Sequence, residues 1–321
     1  MSKRPSAMSV MRQRVVRPLG RTLYKPDVSS RQIGPARGIV RRSASDADEP
    51  HHHARLAPPD DLAPFVEHFW TVRWDRRGLP PFVAETLPHP SVHVVLERGA
   101  SALAGVSRKR FSRTLEGRGE VYAIKFRPGG ARPFLGGSIA RFSERVVPLA
   151  LLGEGWSALE ERVLGIDADD VGHRDALRAE VCAAFLRARQ RPLEPREARA
   201  QAIVARIVAD HTLLRVEELV ESEGMSEREL QRLFREHVGV SAKWVIQRRR
   251  LHEALARMET SAAGLATLAA DLGYVDQAHF SRDFRAMVGV SPGAYARRLT
   301  EGARTPRTGE RARPRGAIPR R

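Results

Sequence analysis

Residues 272–298 have the sequence LGYVDQAHFSRDFRAMVGVSPGAYARR. Within this segment the apolar residues Phe280, Phe284 and Met287 recur at the spacing i, i+4, i+7, which is typical of the buried face of a helix. Polar side chains share the opposite face of the predicted helix: Gln277, Ser281, Arg282 and Arg285. The pattern predicts a helix that packs one face against a core and presents the other to solvent.

The two ends of this predicted helix are also marked. Asp276 precedes it at a position where an N-cap is favoured, and Gly289 follows it as a residue that commonly ends a helix. Gly273, just before the cap, favours a tight turn from a preceding helix. Together these features predict a helix-turn-helix unit.

The same pattern occurs earlier in the chain, at an offset of 50 residues. This offset aligns the following pairs: Ser226 with Asp276, Leu230 with Phe280, Arg232 with Arg282, Phe234 with Phe284, and Arg235 with Arg285. It also aligns the exit residues Gly239, Val240 and Ser241 with Gly289, Val290 and Ser291. A cap, a core face and an exit that repeat at one offset indicate a duplicated helix-turn-helix.

The two copies, SERELQRLFREHVGVS and DQAHFSRDFRAMVGVSPGAY, flank a predicted helix that contains WVIQRRRLHEAL. This double motif closely resembles the AraC/XylS family of bacterial transcription regulators, over residues 201–299. The resemblance implies a domain of seven helices whose third and sixth helices, the recognition helices, enter successive segments of the DNA major groove.

The resemblance also implies which residues contact DNA. Base-facing positions of the family's recognition helices are occupied here by two sets: Arg228, Gln231 and Arg232 in the first copy, and Gln277, Ser281 and Arg282 in the second. Arg235 and Arg285 lie on the same outward faces. Arginine can bind guanine and glutamine can bind adenine through paired hydrogen bonds, so the chemistry suits base recognition. Four basic residues of the linking helix are expected to contact phosphates or to form salt bridges: Lys243, Arg248, Arg249 and Arg250.

Composition restricts the class of protein. The chain has 321 residues and a net charge of +17, which lies mostly in residues 1–50 and 301–321, whereas residues 201–300 are close to neutral. Net charge is therefore weak evidence for nucleic-acid binding here. No apolar run is long enough for a membrane span, so we expect a cytoplasmic protein. The single cysteine, Cys182, lies among alanines and leucines and is expected to be buried in a core.

Residues 56–148 alternate short runs rich in β-formers with proline and glycine breaks, which predicts an antiparallel β barrel or sandwich. The order of elements is similar to the cupin-like N-terminal domains of many AraC-type regulators. The resemblance implies a domain that binds a small effector, mediates dimerisation, or does both. Four aromatic residues are candidates either for the core or for a ligand pocket, with the core as the default: Trp70, Trp74, Phe82 and Phe126.

A metal site is an alternative for this segment. His89, His93 and Glu97 recur every four residues, and this ligand set suits a divalent transition metal. On a strand, however, successive members would lie about 13 Å apart, too far to share one ion. We therefore expect no metal, no cofactor and no catalytic residue.

The remaining segments connect or extend these domains. Residues 1–55 and 301–321 are basic and lack periodicity, so they are expected to be disordered extensions. Residues 149–200 contain two helical patterns and are interpreted as a helical connector.

The sequence thus predicts an α+β chain, in which a β-rich cupin-like barrel or sandwich precedes an all-α double helix-turn-helix domain at residues 201–300. The predicted function is sequence-specific DNA-binding transcription regulation. Expected partners are double-stranded DNA, with a small-molecule effector, a second copy of the chain and RNA polymerase left open, and no membrane. Two other functions also stay open: a constitutive architectural DNA binder and a metal-dependent cupin-type enzyme.

Overall fold

The computed structural model describes residues 51–260 and 264–304. A β-rich part precedes a helical part, so the predicted α+β order of domains is confirmed. The predicted disorder of residues 1–50 and 305–321 lies outside the described residues. Residues 301–304 continue a helix that begins at Pro292, so the predicted start of the C-terminal extension at residue 301 is wrong.

Two antiparallel sheets form the N-terminal part. Six strands pair in the order β1-β2-β7-β4-β5-β8, and β3 pairs with β6 in a second sheet. The strands are β1 His51–Leu56, β2 Val66–Arg76, β3 Phe82–Thr86, β4 His93–Leu96, β5 Ala102–Ala104, β6 Phe111–Leu115, β7 Gly117–Phe126 and β8 Val146–Pro148.

The two sheets share a small apolar core. Trp74 of β2, Val121 of β7 and Leu115 of β6 are buried together, with Phe82 of β3 packed against them. Because these residues come from both sheets, the two sheets pack against each other at this point. The indole Nε1 of Trp74 donates to the carbonyl oxygen of Glu116 at 2.9 Å, which satisfies its only polar group.

The first strand lies partly inside the segment predicted to be disordered. β1 begins at His51 and pairs along its length with β2, with His52 opposite Arg73 and Leu56 opposite Phe69. The predicted boundary at residue 55 is therefore wrong. The error arose because consecutive histidines carry little strand signal, whereas the pairing that orders them depends on β2.

Helices make up most of the rest of the described chain. They are α1 Arg132–Leu135, α2 Glu154–Leu164, α3 Val171–Arg187, α4 Pro195–Ala209, α5 Val216–Glu223, α6 Glu227–His237, α7 Ala242–Thr260, α8 Leu265–Asp271, α9 Gln277–Val288 and α10 Pro292–Arg304. Short 3-10 helices span Ile139–Phe142 and Leu149–Leu152. The helices α4 to α10 correspond to the seven that the resemblance implied, and α6 and α9 are the third and sixth.

The helical domain begins earlier than residue 201. α4 starts at Pro195, where proline fits the first helical turn because its missing N–H would have no partner there. The Glu197 carboxylate accepts a hydrogen bond from the backbone N–H of Glu194 at 3.0 Å and so caps the helix start. The predicted connector, residues 149–200, is helical as expected, but its last residues belong to α4.

One continuous core joins the two parts. It includes Phe126 of β7, Cys182 of α3, Ile203 of α4 and Val245 of α7. Cys182 is fully buried, as predicted, and this burial raises the pKa of its thiol. In the described part of the chain no helix is long and apolar enough to cross a membrane.

Candidate nucleic-acid interface

Both recognition helices start at a side-chain cap. At α6 the hydroxyl of Ser226 accepts from the backbone N–H of Glu229 at 3.3 Å, and the Glu229 carboxylate accepts from the N–H of Ser226 at 2.8 Å. The backbone N–H of Ser226 and its hydroxyl both donate to the Glu229 carboxylate, and these two bonds hold the pKa of Glu229 below its usual value. At α9 the Asp276 carboxylate accepts from the N–H of His279 at 2.6 Å. The caps predicted from the sequence are thus formed in both copies.

The turns before the two helices differ in length. Gly224 and Gly273 have positive φ angles of 59° and 74°, a conformation that glycine adopts without steric cost. One residue separates Gly224 from the first cap, whereas Tyr274 and Val275 separate Gly273 from the second. Val275 is 90 % exposed, so the extra residue projects from the turn without entering the core.

Each recognition helix buries one face. Leu230, Leu233 and Phe234 of α6 are at most 3 % exposed. In α9 the buried residues are Phe280 and Phe284, which are equivalent to Leu230 and Phe234, together with Met287. Since these stripes anchor both helices, the opposite faces are directed to solvent.

Most of the predicted DNA-binding residues lie on those open faces. Ser281 alone is half-buried, and the others are exposed: Arg228, Gln231, Arg232, Arg235, Gln277, Arg282 and Arg285. The amide Nε2 of Gln231 donates to the Glu227 carboxylate at 2.8 Å, so this side chain would have to exchange a partner to bind a base. The structure thus brings the two sets onto two exposed helix faces; their contacts with DNA remain a prediction.

The arginines of these faces differ from those of the scaffold. Arg206 of α4 pairs with Glu223 at 3.1 Å, and Arg257 of α7 pairs with Glu253 at 2.6 Å. Five arginines of the recognition helices form no salt bridge to any described carboxylate: Arg228, Arg232, Arg235, Arg282 and Arg285. Unpaired exposed guanidinium groups remain available to phosphates and guanines.

The basic residues of the linking helix α7 do not form part of these faces. Arg248 is buried and donates to the carbonyl of Pro88 and toward Nδ1 of His89, while burial lowers the pKa of Arg248 to about 10. Arg249 is also buried and donates to the carbonyl of Leu213 at 2.7 Å. The guanidinium of Arg250 lies 3.7 Å above the ring of Tyr274.

The predicted phosphate contact is therefore wrong for Arg248 and Arg249, because packing against the β-rich domain and the α4–α5 loop removes them from solvent. The alternative prediction, a salt bridge, is confirmed for Arg249, whose Nη1 lies 3.9 Å from the Glu253 carboxylate. Lys243 stays exposed, and its role remains a prediction.

The three candidate metal ligands have separate partners. His93 accepts a hydrogen bond from Nε1 of Trp70 at 3.2 Å, and Glu97 pairs with Arg113 at 2.5 Å. His89 lies beside Arg248 at the domain interface. Among the described residues no cluster of three or more histidine, cysteine or acidic side chains could hold a metal ion.

The sequence offered no signal for how the β-rich domain contacts both recognition helices. Residues 138–143, which we call the docking turn, contain the first 3-10 helix and lie against the end of α6. Ser138 donates from Oγ to the carbonyl of Arg235 at 3.1 Å, and Ser143 donates to the carbonyl of Gly239 at 2.6 Å.

The second helix is contacted at the equivalent place. Nη1 of Arg110 donates to the carbonyl of Val288 at 3.2 Å, next to the exit residue Gly289. The same guanidinium pairs with the buried Glu85 at 3.0 Å. Both contacts involve the ends of α6 and α9 and leave their arginine faces open.

Both domains of the chain match known protein families. Residues 219–298 match a helix-turn-helix domain, and residues 54–148 match the domain of unknown function DUF6597. The regulatory protein SoxS of Escherichia coli K12 is 35 % identical over 86 residues, a segment that covers 27 % of this chain and 80 % of SoxS. The chain belongs to the AraC family of transcription regulators.

Other members of the family match over shorter shares of their length. The transcriptional activator AarP of Providencia stuartii is 30 % identical over 82 residues, and the HTH-type regulator YkgA of E. coli K12 is 32 % identical over 83 residues. This chain spans 61 % of AarP and 35 % of YkgA, less than two thirds of either.

Two solved structures are also similar to this chain. The C-terminal domain of AraT from Geobacillus stearothermophilus is 27 % identical, with a TM-score of 0.28, over 33 % of this chain and 88 % of that domain. ToxT from Vibrio cholerae is 16 % identical, with a TM-score of 0.36, over 72 % of this chain and 96 % of ToxT.

Proposed function

We propose that this protein is a sequence-specific DNA-binding transcription regulator whose helices α6 and α9 bind adjacent segments of the major groove. One observation supports this most strongly. The chain contains two helices with equivalent caps, buried stripes and exit glycines, and each presents arginines without carboxylate partners. A single amphipathic helix is common in proteins of any function. Two equivalent helices, however, match the helical repeat of DNA, in which the major groove recurs on one face about every 34 Å.

The proposed roles follow from side-chain chemistry. Arg228, Arg232 and Arg282 have the two-pronged donors that fit guanine O6 and N7, and Gln277 can pair with adenine N6 and N7. Gln231 can do the same once it leaves Glu227. Ser281 is half-buried and can still donate or accept at a nearby base edge.

Arg235 and Arg285 lie nearer the ends of the helices that contact the β-rich domain. We assign them to the phosphate backbone, where an arginine adds affinity without base preference.

The β-rich domain is assigned the control of DNA binding, through a small effector or through association with a second copy. Its contacts with the ends of α6 and α9 support this role, since a shift of the domain would reach both helices. Binding, and not catalysis, is the proposed action of the whole chain. The proposed place of action is the cytoplasm, and contact with RNA polymerase on the DNA is part of the same proposal.

The test is selection of bound DNA from a random pool. Full-length protein is compared with R232A/R282A, which removes one proposed base contact from each helix. A matched control, R118A/R162A, removes two exposed arginines from β7 and α2 with the same change in charge.

We expect wild type and control to enrich a site with two conserved blocks about one helical turn apart, and R232A/R282A to lose both. Equal affinity for all sequences at fixed salt would contradict the proposal and favour an architectural DNA binder. A stoichiometric metal ion in the purified protein would instead support the alternative function, a metal-dependent cupin-type enzyme.

A further inference from the structure

A cleft of about 360 Å³ lies at one side of the β-rich domain, among α1, the docking turn, the second 3-10 helix and α2. Its apolar wall includes Phe134, Phe142, Leu152 and Trp156. Phe142 and Trp156 are buried at 5 % and 6 % exposure, so the wall is held by the core behind it. None of the aromatic residues considered as pocket candidates in the sequence lines this cleft.

Two arginines supply the polar part of the cleft. Arg141 and Arg145 both line it and both are exposed. The Arg141 guanidinium lies 4.5 Å above the ring of Phe142 and donates to the carbonyl of Leu135 at 2.7 Å, which fixes its position. In the part of the chain that the structure describes, neither arginine forms a salt bridge to a carboxylate.

The nearest acid in sequence is held away from both. Glu144 lies between Ser143 and Arg145, and it is the one described residue other than glycine with a positive φ, 58°. Its carboxylate accepts from the backbone N–H of Arg108 at 2.8 Å and from Ser107 at 3.1 Å. This strained conformation lets Glu144 bond outside the cleft, so it does not neutralise the adjacent Arg145.

An apolar wall beside two unneutralised guanidinium groups suits one class of ligand. The wall favours an aliphatic or aromatic body, and the arginines favour a carboxylate, sulfonate or phosphate group. We propose that this cleft binds a small organic anion with an apolar body.

The position of the cleft connects this ligand to the DNA-binding domain. Phe142 lines the cleft and is adjacent to Ser143, whose hydroxyl binds the carbonyl of Gly239 at the end of α6. A ligand that moves the docking turn would therefore act on the first recognition helix. This effector role rests on the proposed function, whereas binding in the cleft is measured without DNA.

The experiment uses two fluorescent probes with full-length protein. 8-Anilino-1-naphthalenesulfonate carries an apolar body and an anionic group, and N-phenyl-1-naphthylamine has the same rings without the charge. Both are titrated against wild type, R141Q/R145Q, the charge-retaining R141K/R145K, and the control R118Q/R215Q, which alters two exposed arginines outside the cleft. Circular dichroism verifies that each variant is folded.

We expect R141Q/R145Q to weaken sulfonate binding about tenfold or more and to leave binding of the neutral amine unchanged. R141K/R145K should recover part of the loss, and the control should match wild type. The proposal is overturned if the sulfonate does not bind, if both probes bind alike, or if R141Q/R145Q binds the sulfonate like wild type. DNA selection on the same proteins separates this outcome from a failure of the proposed function.

Discussion

Ser143 of the docking turn donates its hydroxyl proton to the carbonyl oxygen of Gly239 at 2.6 Å, and so joins the β-rich domain to the exit of the first recognition helix. The fit around Gly239 is close. A Cβ atom at this position would lie 2.8 Å from Oγ of Ser143 and 3.1 Å from Cγ2 of Ile139. Gly239 also has a φ of 91°, so both its conformation and its surroundings require the absence of a side chain.

The substitution Gly239→Ala is expected to destabilise the protein by about 2 to 4 kcal/mol, because it adds left-handed strain and a clash with the docking turn. Gly224→Ala is the matched control, since Gly224 has a φ of 59° but no atom within 4 Å of the place where the added methyl group would lie. The control should cost only about 1 to 2 kcal/mol. Denaturant titration followed by circular dichroism measures both, and equal losses would contradict the close contact.

Removal of the Ser143 hydroxyl should loosen the domain contact locally. A hydrogen bond of this kind contributes about 1 kcal/mol, so Ser143→Ala should speed hydrogen exchange at Val238 and Gly239 about fivefold. The duplicated unit provides an internal control, because Gly289 lies against Arg110 and not against Ser143. A uniform increase at Gly239 and Gly289 would show that the whole domain, and not this contact, had changed.

The contribution of the Asp276 cap to stability can be tested by replacing Asp276 with alanine or with serine, the residue that caps α6. Asp276→Ala should lower the free energy of unfolding by about 1 kcal/mol, because the N–H of His279 loses its acceptor. Asp276→Ser keeps a capping oxygen, as Ser226 does in α6, and should stay close to wild type. Thermal unfolding measures both variants. If serine were as harmful as alanine, the Asp276 carboxylate would have a role other than capping.

Stability is expected to fall as pH drops below about 6.5, because His68 is buried beside Lys125. Burial, and then the charges of Lys125 and Arg55, lower the pKa of His68 from 6.5 to about 2. The unfolded chain therefore takes up a proton that the folded chain refuses, and this contribution to stability is present above pH 6.5 and lost below it.

Each such histidine adds a slope of up to about 1.4 kcal/mol per pH unit to the free energy of unfolding below pH 6.5. His68→Leu removes the imidazole that the unfolded chain protonates. Between pH 6.5 and 5 the free energy of unfolding of this variant should therefore fall less steeply with decreasing pH than that of wild type. The free energies of unfolding of wild type and His68→Leu are measured over this pH range. Equal slopes against pH for the two proteins would show that His68 is not the source of the pH dependence.

Several elements followed from local rules and were predicted well. The caps Ser226 and Asp276, the buried stripes of α6 and α9, and the exit glycines are each specified by residues within one or two turns of helix. The strands between Val66 and Phe126 were likewise marked by short β-rich runs with glycine and proline breaks. Such features depend on the neighbouring chain, so a single sequence contains them.

Other elements depend on which surfaces meet. The strand at His51 is ordered by its pairing with β2, and Arg248 is buried because the loop of Pro88 and His89 covers it. The cleft with Arg141 and Arg145 needs four separate elements to form its walls. Residues far apart in the chain create these sites, and the free energy of such contacts depends on packing and desolvation that no local pattern encodes. The sequence alone thus determines the duplicated helices, because their caps and buried faces are local. How these helices contact the β-rich domain is determined only by the tertiary structure, because those contacts join residues far apart in the chain.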